Sequence, residues 1–439
     1  MNKYIITLIA LVSSFAAKSQ FSISGGDYPP VEIEAEASSG LDKIYVIHDN
    51  RNVTASYIAS SPNVVWHRFS NMGGAYAEPV QDLHKDGNTY SISLGEKDMG
   101  YIIEDGDRRF YYWVTNYSNH QLSIDGLSVN QESDCTMAIL DISGTATPIM
   151  YYTINGQGRE LSRELRIEYI SLEYDKDSQQ YEQQSRVETV SHTSNTIYVP
   201  APLCDTEFSI TGDRFLQAWG LSQEATSQYY NAIAVEAVTS ATQAEKDSPN
   251  EKPEETSLGG SAPCEITFEA AVTDAIVFKE WQVSRDAEFN IIDLRYNTLD
   301  FTFVFKEQGT QYIRFVGADA DATCEFYGET YQVFIGESRL ECPNAFSPGA
   351  SEGVNDEWKV SYKSIIEFEC HIFNRWGVEI CSFSDPSMGW DGKYKGKLVP
   401  AGVYFYVIKA KGSDDKKYNL SGDINVIKYK VNISTVPSE

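Results

Sequence analysis

The sequence predicts an all-β protein made of tandem immunoglobulin-like β-sandwich domains that ends in a small β-sandwich. The chain has 28 Tyr and 20 Phe, and the runs around them are rich in Val, Ile and Thr. These residue types are enriched in strands. Short alternating apolar and polar runs separated by Gly, Asn, Asp and Ser are typical of sandwiches. A length of 439 residues with 42% hydrophobic residues indicates three or four packed domains.

The formal net charge of -28 restricts the classes of partner. Nucleic acid is not expected to bind, because binding depends on Lys and Arg that neutralise phosphates. Anionic membrane surfaces are disfavoured for the same reason. The charge is typical of a soluble, self-repelling extracellular surface.

The N-terminal residues predict a signal peptide at 1–19. Lys3 supplies the positive region, Tyr4 to Leu11 the apolar region, and Ala17-Lys18-Ser19 a cleavage site between small residues. We therefore expect the mature chain to begin at Gln20. No Cys follows the apolar region, so a lipoprotein anchor is not expected, and no later apolar run approaches the roughly 18 residues of a membrane span.

The rest of the chain divides into blocks by composition. Runs such as "KIYVIHD" and "NVVWHRF" predict one immunoglobulin-like sandwich at 20–125, and "TMAILDIS" and "LRIEYISLEY" predict a second at 126–241. The run from Arg214 to Glu245 is the one place with possible helical content. Residues 242–261 are acidic, rich in Pro, Ser and Glu and poor in apolar residues, which is typical of a linker. A third strand-rich block occupies 262–340, a terminal β module 341–429 and a tail 430–439.

Seven cysteines in an exported chain predict disulfides with one cysteine left over. The wide spacing of Cys135 and Cys204, and of Cys264 and Cys324, suits one bridge between the two sheets of each sandwich. In the terminal module, a hairpin centred on Arg375 and Trp376 places Cys370 opposite Cys381, which is compatible with a cross-strand disulfide and equally with two buried thiols. The sequence assigns no partner to Cys342.

The third block carries "FKEWQVS" and "FTFVFKEQGTQYIRFVGADADATC". In the second run Ile313 and Phe315 should face one side of a strand and Tyr312 and Arg314 the other. The block resembles the PKD-like, immunoglobulin-type domains of exported Bacteroidetes proteins. That resemblance implies a further sandwich.

The terminal module contains "PNAFSP", "IFNRWG", "GWDG" and "VPAGVYFYVI". Its Pro, Gly, Asn and Asp residues are turn formers, and its aromatic residues suffice for a small core. "GVYFYVIKA" is apolar on both faces, which predicts a central strand covered on both sides.

The order of these motifs resembles the gliding motility-associated C-terminal domain, the type B sorting domain of the Bacteroidetes type IX secretion system. The residues that match its motifs are Pro343, Asn344, Phe346, Pro348, Gly353, Asn355, Asp356, Asn374, Trp376, Gly377, Trp390, Asp391, Gly392, Gly402, Gly422 and Asp423.

This resemblance implies a route and a set of partners. The route is Sec transport followed by the type IX translocon, to the cell surface, the outer membrane or the extracellular space. The implied partners are the translocon itself, an outer-membrane protein of the PorP/SprF type, and peptidoglycan- or membrane-associated secretion-system subunits. The sequence does not tell whether the domain is cleaved or retained.

The loop at 347–356 departs from the family pattern, because it reads "SPGASEGVND" where the family has "SPNGDGVND". Carboxylate and amide oxygens in such a loop can hold calcium, which takes six to eight oxygen ligands. An ordered turn explains the loop better, and we predict no metal and no cofactor.

No catalytic residue is predicted. The six His residues form no HExxH pattern, and neither GxSxG nor a P-loop motif is present. The leading hypothesis is therefore a non-catalytic, structural or accessory protein at the outer membrane. An adhesin or glycan-binding protein that uses Trp66, Tyr111, Tyr112 and Trp113 is the alternative, and an enzyme with a novel site near Arg214 to Tyr230 is the third hypothesis.

Overall fold

The computed structural model describes residues 20–191, 195–349 and 355–427. Its regular structure is almost entirely strands, which confirms the all-β prediction. The described residues divide into two compact units, one within 20–171 and 184–231 and the other within 172–183 and 232–427. The predicted signal peptide and tail lie outside the described residues.

The first unit begins with a two-sheet domain. Its strands are β1 (Phe21–Gly25), β2 (Val31–Glu34), β3 (Lys43–Ile47), β4 (Val53–Ile58), β5 (Val64–Phe69), β6 (Glu78–Pro79), β7 (His84–Asp86), β8 (Thr89–Ser93), β9 (Met99–Asp105) and β10 (Arg108–Asn116), with 3₁₀ helices at Ala37–Ser39, Gly74–Tyr76 and Tyr117–Asn119. One sheet has the order β1-β4-β8-β7 and the other β2-β3-β10-β9-β5-β6. The inward side chains form an aromatic core in which Phe21 stacks on Tyr112 with ring centroids 4.1 Å apart.

The second domain of this unit follows directly. Its elements are β11 (Leu122–Val129), β12 (Met137–Ala146), β13 (Ile149–Tyr152), β14 (Gly158–Leu161), β15 (Leu165–Asp175), β16 (Gln180–Val190), β17 (Thr196–Pro200), β18 (Ser209–Gly212), α1 (Arg214–Ala218) and β19 (Gln223–Thr226). The strands form sheets β11-β12-β17, β13-β14 and β16-β15-β18-β19. Side chains of both domains, such as Trp113 and Ile167, belong to one continuous hydrophobic core.

Of the helical content expected between Arg214 and Glu245, the structure has only α1, a helix of five residues. Asp213 caps its N-terminus by accepting hydrogen bonds from the amides of Phe215 and Leu216. Gly220 follows with φ of +71°, a left-handed conformation that ends the helix. The remaining residues of the stretch include strand β19.

The second unit contains a sandwich that corresponds to the PKD-like block. Its strands are β20 (Ala237–Gln243), β21 (Gly259–Gly260), β22 (Cys264–Val272), β23 (Phe278–Ser284), β24 (Leu294–Tyr296), β25 (Asp300–Phe305), β26 (Gly309–Ala318), β27 (Glu325–Tyr327) and β28 (Tyr331–Ile335). The sheets are β20-β22-β25 and β21-β28-β26-β23-β24, with β27 paired to β26. Ile313 and Phe315 are fully buried, as their predicted alternation with Tyr312 and Arg314 requires.

The acidic segment expected to be a linker at 242–261 is packed rather than extended. Its first residues end β20 and its last residues include β21. The Gln243 side-chain amide closes the segment by hydrogen bonds to the backbone of Gly259. The Glu251 side chain is 6% exposed and bonds to both Lys246 and the Ser261 hydroxyl, so this carboxylate is paired within the fold.

The terminal module forms the last domain. Its strands are β29 (Arg339–Glu341), β30 (Ala345–Phe346), β31 (Trp358–Lys359), β32 (Ser361–Lys363), β33 (Ile365–Phe373), β34 (Glu379–Phe383), β35 (Gly389–Trp390), β36 (Lys393–Tyr394), β37 (Lys397–Leu398), β38 (Gly402–Gly412) and β39 (Lys417–Val426). A five-stranded sheet has the order β30-β39-β38-β33-β34 and shares one core with the small pairs β29-β32 and β31-β35. The pair β36-β37 is exposed.

The predicted disulfide pairs of the sandwich blocks are wrong. Cys135 and Cys324 are disulfide-bonded, whereas Cys204 and Cys264 are buried thiols. The bridges 135–204 and 264–324 are therefore both excluded. The Cys204 thiol instead lies 3.8 Å from the carbonyl oxygen of Ile170, within hydrogen-bond range for sulfur.

Candidate functional site

The motif residues of the terminal module lie in its core, in its turns and on its surface. Phe346 and Trp390 are buried, with ring centroids 5.3 Å apart. Trp390 also donates its indole N–H to the carbonyl of Lys393, and Trp358 donates to the carbonyl of Pro343. These residues therefore hold the module together.

The entry strand of the module is fixed to its last strand. Phe346 lies parallel to and beside Val426 in the five-stranded sheet. The carbonyl of Asn344 accepts hydrogen bonds from both the backbone amide and the side-chain amide of Asn425. The start and the end of the described module are thus joined in one sheet.

The loop proposed as an alternative calcium site is partly described. Ser347 donates its amide to the carbonyl of Asn355, and Gly349 donates to the carboxylate of Asp356 at 3.0 Å. Asn355 itself has a left-handed φ of 55°. These contacts join the two described ends of the loop, whereas residues 350–354, which include Gly353, lie outside the described residues.

A second turn packs against this loop through Asp391 and Gly392. Burial alone would raise the pKa of Asp391, but hydrogen bonds from the Lys393 side chain and amide outweigh it and lower the pKa. Gly392 has φ of +73°, and a Cβ there would lie 2.8 Å from the Cγ of Pro348. Glycine is required by both the left-handed backbone and the close approach.

Residues 374–378 form a tightly held turn between β33 and β34. The Asn374 side chain accepts hydrogen bonds from the amides of Trp376 and Val378. The Asn374 backbone bonds to Val378 and Gly377, and Gly377 has φ of +77°. The hydrogen bonds of Asn374 and the left-handed backbone of Gly377 therefore determine the conformation of the turn. Trp376 does not contribute to its packing, because 76% of its surface is exposed.

The remaining motif residues lie on β38 and β39. Gly402 pairs with Val426 at one end of the sheet, and Gly422 pairs with Tyr406. A Cβ on Gly422 would lie 2.7 Å from the Tyr406 hydroxyl oxygen, so the glycine makes room for that ring. Asp423 accepts a hydrogen bond from the side chain of Asn425 on the outer surface.

The expectation that "GVYFYVIKA" is covered on both faces is wrong. β38 is central, between β39 and β33, and Tyr404 and Ile408 face the core. Val403, Phe405 and Val407 point to the other face and are 45%, 44% and 41% exposed. The described part of the module covers only one face of its five-stranded sheet. Sequence alternation did not distinguish these two cases, because both faces of the strand are apolar.

The predicted Cys370–Cys381 bridge is not formed, because the hairpin has a different register. A β-bulge after Ile372 places Cys370 opposite Phe383, and Cys381 opposite Ile372. Both cysteines are thiols. Burial raises the pKa of Cys370 to about 12 and that of Cys342 above its ordinary value. Cys370 and Cys342 therefore stay protonated, and the thiolate form that reacts or binds metal is disfavoured.

His371 lies on the exposed face of the five-stranded sheet, opposite Val407. It lies between Glu369 and Glu379, with each ring nitrogen 3.0 Å from a carboxylate oxygen. The hydrogen bond with Glu369, together with the contact to Glu379, raises the pKa of His371. This cluster ties β33 to β34 across the sheet. The cluster is solvent-exposed and has no neighbouring nucleophile, so we interpret it as a surface ion-pair network that stabilises the sheet.

The aromatic residues considered for glycan binding are mostly core residues. Trp66 and Trp113 are each 1% exposed and Tyr112 is 6% exposed. Tyr111 is half-buried and packs against the core of the first unit. An aromatic platform at these positions is therefore excluded, because stacking requires exposed ring faces.

The other charged clusters serve the fold. The buried Asp319 carboxylate accepts hydrogen bonds from Thr323 and from the amide of Cys324, which accounts for the acidic run at 319–325. Within residues 20–191, 195–349 and 355–427, no group of three or more His, Cys, Asp or Glu side chains is placed to hold a metal ion. In the same residues, none of the helices has the length and apolarity of a membrane span.

Comparison with known families identifies two segments. Residues 340–426 match the CHU_C type IX secretion signal domain, and residues 128–227 match the Fn3_FA fibronectin type III domain. The sequence matches no curated protein.

Two solved structures are weakly similar to the chain. A crystal structure of a tetra-tandem repeat in the extending region of a large adhesion protein is 9% identical, covers 87% of this chain and 97% of its own, and has a TM-score of 0.21. A crystal structure of dimeric latent PorU from Porphyromonas gingivalis is 11% identical, covers 72% of this chain and 35% of its own, and has a TM-score of 0.15. Overlaps this weak carry no functional inference.

The described domains and the family matches agree on the nature of the C-terminal module. Residues 340–426 coincide with the sheet and core that begin at β29 and end at β39. No catalytic domain is evident among the matched segments. The chain carries a type IX secretion signal domain at its C-terminal end, preceded by a fibronectin type III or immunoglobulin-like domain, and it is cargo exported to the cell surface or the extracellular space.

Proposed function

We propose that this protein is a non-catalytic surface component that the type IX secretion system exports and that docks on an outer-membrane protein of the PorP/SprF type. The observation that carries the proposal is the match of residues 340–426 to the type IX signal domain, a segment that forms one complete sheet-and-core module. Sec transport precedes this step and removes residues 1–19.

The non-catalytic role is supported by what the polar side chains do. Buried charged groups are paired or hydrogen-bonded, as in the Arg163–Asp213 pair and the carboxylate of Asp105. The buried thiol of Cys370 is held in its protonated form. These groups stabilise folded domains and leave no activated nucleophile beside a base.

Docking is supported by the surface of the signal domain. Its outer sheet face presents Val403, Phe405 and Val407, which are 45%, 44% and 41% exposed. Exposed apolar groups collected on one domain are typical of interaction surfaces. The other proposed partners of the signal domain are the translocon and the peptidoglycan- or membrane-associated subunits of the secretion system.

Export is tested by removing residues 342–439 and locating the protein in cell fractions. The shortened chain should accumulate in the periplasm while the full chain reaches the surface. The matched control is Asn419→Ala in the full chain, an exposed residue of β39, and this variant should reach the surface like the parent. Arrival of the shortened chain at the surface would refute the assignment.

Docking is tested by affinity capture from detergent-solubilised outer membranes with the full mature chain as bait. A barrel of the PorP/SprF type should be recovered with the full chain and lost with the chain that lacks residues 342–439. Recovery of the same barrel with both baits would place the contact outside the signal domain and contradict this proposal.

A further inference from the structure

The charge of the chain is distributed unevenly. Residues 1–339 contain 50 acidic and 23 basic residues, whereas residues 340–439 contain 13 acidic and 12 basic residues. Almost all of the net charge therefore belongs to the domains that precede the signal domain. The repulsion from anionic surfaces that the total charge predicts does not apply to the signal domain by itself.

The turn between β33 and β34 presents a cation and an aromatic ring together. The Arg375 guanidinium lies 5.0 Å from the centre of the Trp376 ring, and 76% of Trp376 is exposed. Val378 in the same turn is 48% exposed. Because Asn374 holds this turn by several hydrogen bonds, the exposure belongs to an ordered conformation.

The turn between β36 and β37 repeats this combination. The Lys395 ammonium lies 5.2 Å from the centre of the Tyr394 ring. Tyr394 and Leu398 are 36% and 39% exposed. Lys393 pairs with Asp391, whereas Lys395 and Lys397 form no ion pair within residues 355–427.

Both turns lie at the same end of the five-stranded sheet. Phe373, which precedes the first turn, pairs with Phe405 near the start of β38. Leu398, which ends the second hairpin, is four residues before Gly402, the first residue of β38. At about 3.3 Å per residue that separation is at most roughly 13 Å. The basic aromatic end of the module thus consists of Arg375, Trp376, Tyr394, Lys395, Lys397 and Leu398.

We propose that this basic aromatic end binds the surface of a lipid bilayer that carries anionic headgroups. Trp and Tyr are the side chains enriched at the membrane–water interface, where an apolar ring and a polar group are both solvated. Lys and Arg beside them attract anionic headgroups, and their apolar stems reach into the interface.

The shape of the surface favours a bilayer over other occupants. The two aromatic groups belong to separate turns, and a deformable lipid surface can contact both without a complementary pocket. A second copy of the chain is disfavoured, because it would bring another 27 net negative charges of residues 1–339 close to the first. This lipid binding is separate from docking on an outer-membrane barrel, because it requires only the protein and the bilayer.

The experiment is co-sedimentation of the full mature chain with vesicles of phosphatidylcholine alone and of an equal mixture with phosphatidylglycerol. We expect binding to the mixed vesicles that weakens as salt rises. Trp376→Ala should weaken it about tenfold, because a large apolar side chain no longer enters the interface. The pair Lys395→Asn and Lys397→Gln should weaken it about 25-fold, at about fivefold per charge near the surface.

Asn is chosen at position 395 because Lys395 has a left-handed φ of 51°, which Asn tolerates. The control is Ile291→Ala, a side chain that is 70% exposed on the preceding domain and should leave binding unchanged. All variants should keep the thermal midpoint of the parent. Absence of binding to mixed vesicles, or equal loss in the control, would overturn the proposal. Binding that requires outer-membrane proteins in the vesicles would also overturn it and would indicate a protein partner.

Discussion

Arg163 donates a hydrogen bond to Asp213 over 2.5 Å, and both side chains are fully buried in the first unit. Arg163 also donates to the carbonyl oxygens of His120 and Thr147, and the Tyr117 hydroxyl bonds to Asp213. Because Tyr117 and Arg163 belong to different domains of that unit, one ionic network joins them.

Arg163→Leu should lower the free energy of unfolding of the first unit by about 3–5 kcal/mol, because Asp213 would remain charged, buried and unpaired. Urea denaturation followed by intrinsic fluorescence measures the change. Arg166→Leu is the matched control, since the Arg166 side chain is 46% exposed and pairs with an exposed Glu168. A loss below about 1 kcal/mol in Arg163→Leu would contradict the role of the network.

Asp105 provides a test by pH. Burial alone would raise its pKa, but hydrogen bonds from Ser61, Ser60 and Tyr57 outweigh it and lower the pKa from 3.8 to about 2. A lowered pKa stabilises the folded state above the unfolded pKa, and this stability is lost as the pH falls from near 4 towards 2. The shift corresponds to about 2 kcal/mol, at about 1.4 kcal/mol per pH unit.

Asp105→Asn should therefore flatten the decrease in unfolding free energy between pH 4 and about pH 2. The comparison variant is Asp107→Asn, whose residue lies exposed in the turn between β9 and β10. An unchanged acid dependence in Asp105→Asn would show that this carboxylate does not govern the transition.

The fold class was predictable, because strand alternation and turn residues act locally. The position of the signal domain followed from the resemblance of its motifs to a known family. The core role of Trp390 follows from the aromatic content of the module. The exposure of Phe405 was not predictable, because a strand that is apolar on both faces has the same sequence pattern whether one face or both are covered by other residues. The sequence also did not predict that Cys370 is a thiol, because one β-bulge changes which residues of the hairpin lie opposite each other.

The acidic segment at 242–261 shows a further limit of composition. Polar and acidic residues usually indicate a solvated linker, because they cannot bury an apolar core. Here Glu254 pairs with Lys363 at 2.6 Å, and the backbone of Lys252 bonds to Tyr362. The partners are more than a hundred positions away, so no local pattern contains them.

Asn250 is the residue that tests this packing. Its side-chain amide donates to the carbonyl oxygens of Val360 and Pro386, each at 2.8 Å. Asn250→Ala should lower the unfolding free energy of the second unit by about 1–2 kcal/mol, because two buried acceptors lose their donor. It should also speed proteolytic cleavage within 242–261, which mass spectrometry of the fragments locates.

Asn419→Ala is the control for Asn250→Ala, because Asn419 is exposed on β39. It should change neither stability nor the cleavage pattern. Equal cleavage rates in the parent and in Asn250→Ala would indicate that the segment behaves as a solvated linker after all.

The thiols give a prediction about covalent state. Five cysteines are thiols and two are disulfide-bonded, so the denatured, unreduced chain should take up five alkyl groups. Reduction before alkylation should increase the number to seven. In the native chain Cys370 should react most slowly of the cysteines in the signal domain, because it is fully buried and burial raises its pKa to about 12. Cys381→Ser should lower the denatured count by one, and a parent count of three would instead indicate a bridge formed by two of Cys342, Cys370 and Cys381, or by Cys204 and Cys264.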